Sequence, residues 1–144
     1  MQQTESYSER KPINRAKIMI VDDDPDIRQG LSVRLRANNY DTVNVCDGYS
    51  AIAMAQKEKP HLIILDLGLP AGDGFAVLKN LQDYPALAII PVIVLSARDR
   101  EGNKGRTLEL GAVAFLQKPA DNGQLLEVIR AKLRMVWGWG GLPS

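Results

Sequence analysis

The chain has one cysteine, one histidine, two phenylalanines and no apolar run long enough to cross a bilayer. Each shortage excludes something. Cys46, being alone, cannot close an internal disulfide, which fits a reducing compartment and a fold held by packing. At a strand end it reads as a small apolar residue rather than a reactive thiol. The longest apolar stretch, Leu87 to Leu95, is broken by Pro91, and Met1 to Lys17 is polar, without the apolar segment of a signal peptide. A cytoplasmic protein with no membrane partner is expected. Excess charge of either sign is missing too: 18 Lys plus Arg stand against 17 Asp plus Glu. The basic footprint of a direct nucleic-acid binder is therefore absent, as is an acidic tail. His61 precedes a strand instead of lying on a helix face, so an exposed turn residue is expected there and not a phosphohistidine.

What is present alternates regularly. Residues 1–16 are polar and aperiodic, and read as a mobile arm; 17–136 form the one domain that 144 residues comfortably support; 137–144, with Trp137 and Trp139 among glycines, read as a tail that ends the order or offers a partner an aromatic contact. Lys17 to Val21 is an apolar strand. Asp24 then suits a helix cap and Pro25 the first helical position, with Ile27, Leu31 and Leu35 on one face and a stop near Asn38-Asn39. Thr42 to Cys46 is a weaker strand, followed by an alanine-rich helix from Ser50 to Lys57. The central strand Leu62 to Leu65 leads to a third helix marked by Phe75, Leu78 and Leu81 and closed by Pro85. Ile89 to Leu95 is the most apolar strand; the helix after it, Glu101 to Leu110, is weakened by Gly102 and Gly105. Val113 to Leu116 is the last strand, and Asp121 with Gln124 reads as a capping pair for a helix carrying Leu125, Ile129 and Leu133.

Five strands alternating with five helices predict a doubly wound (βα)5 domain with a five-stranded parallel sheet. By fold-class analogy with flavodoxin-like proteins, the strand order is 2-1-3-4-5, with a switch point between strands one and three. Ligands of such sheets lie beyond the carboxyl ends of the strands. There the sequence places Asp22, Asp23 and Asp24 from strand one, Asp66 from strand three, Ser96 from strand four and Lys118 from strand five. Asp66 alone also fits a plain turn; its neighbours favour chemistry. Crowded carboxylates repel, and a hard divalent cation such as Mg²⁺ is their usual remedy. A carboxylate nucleophile beside a metal, a lysine and a hydroxyl has the parts for phosphoryl transfer.

The stretch Ile20-Val21-Asp22-Asp23-Asp24, the loop Leu65-Asp66-Leu67-Gly68-Leu69-Pro70 with Asp73-Gly74-Phe75 behind it, Val94-Leu95-Ser96-Ala97 and Lys118-Pro119 together resemble the receiver domain of bacterial two-component response regulators. The resemblance runs from Lys17 to about Met135. It implies that Asp66 accepts a phosphoryl group, that Asp22, Asp23, Asp66 and the main-chain carbonyl of Gly68 hold Mg²⁺, and that Ser96 and Lys118 bind the phosphoryl oxygens. It implies a cis peptide before Pro119, a switch through Ser96 and Phe115, and output through the face of the fourth helix, fifth strand and fifth helix. Arg98 and Gly68 would border the attacking water. A sensor histidine kinase or histidine phosphotransfer protein is the implied donor. The receiver catalyses only its own phosphorylation and dephosphorylation, acting on a downstream protein or an output domain missing from this chain, with phosphorylation-dependent homodimerisation a further option. Three departures bear on the switch: Phe115 lacks a hydroxyl, Ala120 is small, and glycines soften the fourth helix. Two rival readings are a degenerate receiver that works as a phosphorylation-independent interaction module, and a small phosphohydrolase of the haloacid dehalogenase type.

Overall fold

Three apolar runs of four or five residues, buried on both faces, form the middle of a parallel sheet whose strands run β2-β1-β3-β4-β5, with more polar, partly exposed strands at its two edges. The computed structural model describes residues 15–69, 74–97 and 103–138. Its strands are β1 (Lys17–Val21), β2 (Asp41–Val45), β3 (Leu62–Leu65), β4 (Val92–Ser96) and β5 (Ala114–Gln117). Its helices are α1 (Pro25–Ala37), α2 (Gly48–Glu58), α3 (Gly74–Gln82), α4 (Pro85–Ala88), α5 (Asn103–Glu109) and α6 (Asn122–Trp137). The expected strand order is the observed one.

Strand alternation divides the core in two. Met19, Val21, Ile63, Leu65, Val92 and Val94 pack with Ala51 and Ala55 of α2 and with Leu78 and Leu81 of α3. Ile18, Ile20, Leu62, Ile64, Ile93 and Leu95 face the other way, onto Leu31 and Leu35 of α1 and Leu125, Ile129 and Leu133 of α6. The small alanines of α2 let that helix lie close to the sheet. Among the described residues, no helix is long and apolar enough to cross a membrane.

Several local expectations need correcting. Pro85 opens the short helix α4 instead of closing α3, since a proline at the first helical position loses no hydrogen bond there. Ile89 caps α4, so β4 starts at Val92, and the Pro91 carbonyl accepts from Ile63 N at 3.0 Å. Asp121 precedes α6 without any side-chain cap bond; its main-chain carbonyl accepts from Leu125 N instead. Asp47 caps α2 by accepting from Ser50 N at 2.8 Å, so that helix begins at Gly48. Cys46 is exposed and lies just past β2, which ends at the buried Val45. Trp137 is the last residue of α6, and His61 is half-buried against it rather than exposed. Asp24 does cap α1, its Oδ1 accepting from Asp26 N at 2.9 Å and Ile27 N at 3.4 Å. The expectations for Trp139, Arg98, Pro70 and residues 1–14 lie outside the described residues.

Candidate functional site

Adjacent parallel strands in register deliver the carboxylates. Val21 of β1 pairs with Leu65 of β3, so Asp22 and Asp66 leave the sheet side by side, and Asp66 N donates to Val21 O at 3.0 Å. Asp22, Asp23 and Asp66 each offer an oxygen within 4.8 Å of the others. Asp22 and Asp66 are buried and Asp23 is exposed, so the cluster opens to solvent on one side.

Lys118 reaches this cluster from the far edge of the sheet. The residue follows β5, and its N–H donates to the Ser96 carbonyl at 2.9 Å. Its Nζ lies 2.8 Å from Asp22 Oδ2 and 3.6 Å from Asp66 Oδ2, bridging the two buried carboxylates. The Lys118–Pro119 peptide is cis. Ser96 at the end of β4 is fully buried. Phe115, paired with Val94 in register, belongs to the core on the α2–α3 side of the sheet.

The electrostatics follow from this crowding. Burial raises the Asp66 carboxyl above its ordinary value; a hydrogen bond from Gly68 N opposes that rise, Asp22 adds to it, Lys118 opposes it and Asp23 adds slightly more. The Gly68 N–H donates to Asp66 Oδ1 at 3.0 Å, which fixes the carboxylate rotamer. Asp22 is fixed as well, its Oδ1 accepting from Asp24 N at 3.0 Å. A half-buried carboxylate oxygen set held this rigidly is a hard-ligand site with a cation already on its other flank.

Two contributors were not anticipated from the sequence. Arg28 Nη1 donates to the main-chain carbonyl of Asp22 at 2.6 Å, anchoring the acidic turn to α1. Gly74 brings the start of α3 against the loop that follows β3: a Cβ there would sit 2.5 Å from Leu67 Cα and 2.7 Å from Asp66 O. A glycine after an aspartate signals a turn in the sequence. The close approach of two backbones is visible only in three dimensions.

Residues 18–130 match the response regulator receiver domain family. The chain belongs to that family. This receiver is 38% identical over 119 residues to the response regulator PleD of Caulobacter vibrioides, covering 83% of this chain and 26% of PleD. It is 39% identical over 118 residues to the DNA-binding dual master transcriptional regulator RpaA of Synechocystis, covering 82% of this chain and 49% of RpaA. The receiver chain thus spans half or less of these relatives' length. Among solved structures, a putative response regulator from Chloroflexus aurantiacus superposes with a TM-score of 0.79 at 28% identity, over 83% of this chain and 98% of that one. The BeF3-activated N-terminal receiver domain of Klebsiella pneumoniae RstA gives 0.76 at 30% identity, over 82% and 98%.

Proposed function

We propose that this receiver accepts a phosphoryl group on Asp66 from a histidine-bound donor, in a Mg²⁺-dependent reaction, and signals through the face formed by α5, β5 and α6. The observation that carries the reading is the cluster of three carboxylates with ligand atoms within 4.8 Å, flanked by Lys118. Oxygen donors of this kind suit Mg²⁺, and Asp22, Asp23, Asp66 and the Gly68 main-chain carbonyl would hold it. When bound, Mg²⁺ supplies positive charge that offsets the carboxylates and the phosphoryl oxygens.

The chain's own groups do the rest. An Asp66 carboxylate oxygen forms the new P–O bond as the donor's P–N bond breaks and the imidazole leaves. Lys118 Nζ, already between Asp22 and Asp66, pairs with a phosphoryl oxygen, and the Ser96 hydroxyl donates to another. Water then cleaves the acyl phosphate, returning the Asp66 carboxylate and inorganic phosphate. Movement of Ser96 toward the phosphoryl group lets Phe115 shift in the core beside Val94, which links the site to β5. A cleft of about 590 Å³ between α1 and the start of α6 opens beside Lys118, with Ile27, Leu31 and Leu125 on its walls. It suits a helical donor such as a sensor histidine kinase or a histidine phosphotransfer protein. Output then runs through a downstream protein, an output domain outside this chain, or a phosphorylation-dependent homodimer.

Beryllofluoride, an acyl-phosphate mimic, tests the site directly. Fluorine NMR should show Mg²⁺-dependent binding to the wild type, none to Asp66→Asn, and binding weaker on the order of tenfold or more in Lys118→Ala. Equal binding by wild type and Asp66→Asn would refute the assignment.

A further inference from the structure

The end of the sheet away from Asp66 carries a second polar node, built on His61. His61 N donates to Lys17 O at 2.8 Å, and Lys17 N donates to His61 Nδ1 at 2.9 Å, so the ring is clipped to the β1 backbone. On the other side Trp137, the last residue of α6, donates from Nε1 to the His61 main-chain carbonyl at 2.8 Å. The two rings meet edge-on, with centroids 5.6 Å apart at 86°. Trp137 also walls an apolar cavity of about 390 Å³ shared with Ala55, Pro60, Tyr84, Leu87 and Ile90.

The Lys17 bond dictates the state of the imidazole. An Nδ1 that accepts carries no proton, so the neutral ring holds its hydrogen on Nε2. A second proton on Nδ1 would set N–H against N–H at 2.9 Å. Burial and the Lys17 cation both favour the neutral ring. Among the described residues, Lys17 from β1 puts its charge on the ring, itself paired with Glu58 Oε1 at 3.1 Å at the end of α2, while α6 presents the uncharged Trp137. Neutral His61 is thus part of how α6 is tied to the start of β3.

We propose that His61 is a proton-sensitive latch on the C-terminal end of α6: neutral, it holds Trp137 to the start of the strand that ends at Asp66, and protonated, it lets Trp137 go. Turning the charged ring away from Lys17 N–H takes it out of its edge-on contact with the Trp137 ring, and the indole is left on its single bond to the His61 carbonyl. One wall of the apolar cavity then opens. Because the folded chain favours the neutral ring, the latch is fully closed above the ordinary histidine value of 6.5 and is lost as pH falls below it. Trp137 is the last residue of α6, so the state of the latch sets how firmly the end of that helix is held.

The test uses the full chain carrying Trp139→Phe, which leaves Trp137 as the single indole of the two in the sequence. NMR would follow the indole N–H and the His61 ring between about pH 5 and pH 8. Indole exchange, corrected for its intrinsic pH dependence, should quicken about two- to tenfold in step with protonation of His61 at a midpoint below 6.5. His61→Asn, whose Oδ1 accepts from Lys17 N without titrating, should abolish the step. The same step in His61→Asn, slower indole exchange at acid pH, or a ring that titrates while the indole stays unmoved would each overturn the proposal. Should His61→Asn not fold, the wild-type tautomer decides: Nδ1 protonated at neutral pH contradicts the latch.

Discussion

Asp66 sits where its charge is costly. Burial disfavours the carboxylate, Asp22 and Asp23 repel it, and Lys118 with the Gly68 N–H only partly offsets them, so its carboxyl titrates above 3.8. A raised carboxyl means that the unfolded chain ionises first as pH rises, and fold stability is lost between the unfolded and folded values. Asp66→Asn should therefore raise the thermal midpoint at neutral pH in metal-free buffer, read by calorimetry; a lowered midpoint would show that the Lys118 pairing outweighs the burial cost. Gly74 works oppositely. A Cβ at 2.5 Å from Leu67 Cα meets backbone, which cannot yield cheaply, so Gly74→Ala should cost about 1–3 kcal/mol in urea unfolding and weaken beryllofluoride binding. Unchanged unfolding would mean that α3 can shift freely. At this scale the acidic residues, Ser96 and Lys118 were legible because their chemistry is written in their side chains. His61 and Trp137 were not, since each is defined by the other across 76 positions of chain.

The elements differ in how firmly they are held. α5 contains Gly105 in open space with nothing within 4 Å of a built Cβ, so its glycine weakens the helix without serving any contact. Gly105→Ala should stabilise the domain by about 0.4–1 kcal/mol, measured by denaturant midpoint; a loss would mean that the helix is not formed as described. Arg106 partly compensates, its guanidinium carbon lying 4.0 Å from the Phe75 ring centroid and tying α5 to α3. Strands and long helices were readable from apolar periodicity. The boundaries that shifted did so where a residue has two roles, as with Pro85, which can end one helix or begin another. Asp121 looked like a cap on spacing alone, yet its side chain makes no cap bond.

For the whole molecule, the alternation of strands and helices predicted a parallel sheet, and the strand order came from analogy with folds of that class. Packing makes the order consistent: β1 and β3, the two most central acidic-ended strands, are direct neighbours, which no single segment of sequence reveals. That adjacency gathers Asp22, Asp23 and Asp66 and leaves Lys118 to arrive from β5. The central claim is that this convergence makes Asp66 a phosphoacceptor. Intact mass after incubation with acetyl phosphate, with and without Mg²⁺, on wild type and Asp66→Asn tests it most directly. One Mg²⁺-dependent, hydroxylamine-labile phosphoryl group on the wild type alone is the predicted result. A folded wild type that stays unmodified and also fails to bind beryllofluoride, or an adduct that survives Asp66→Asn, would contradict it.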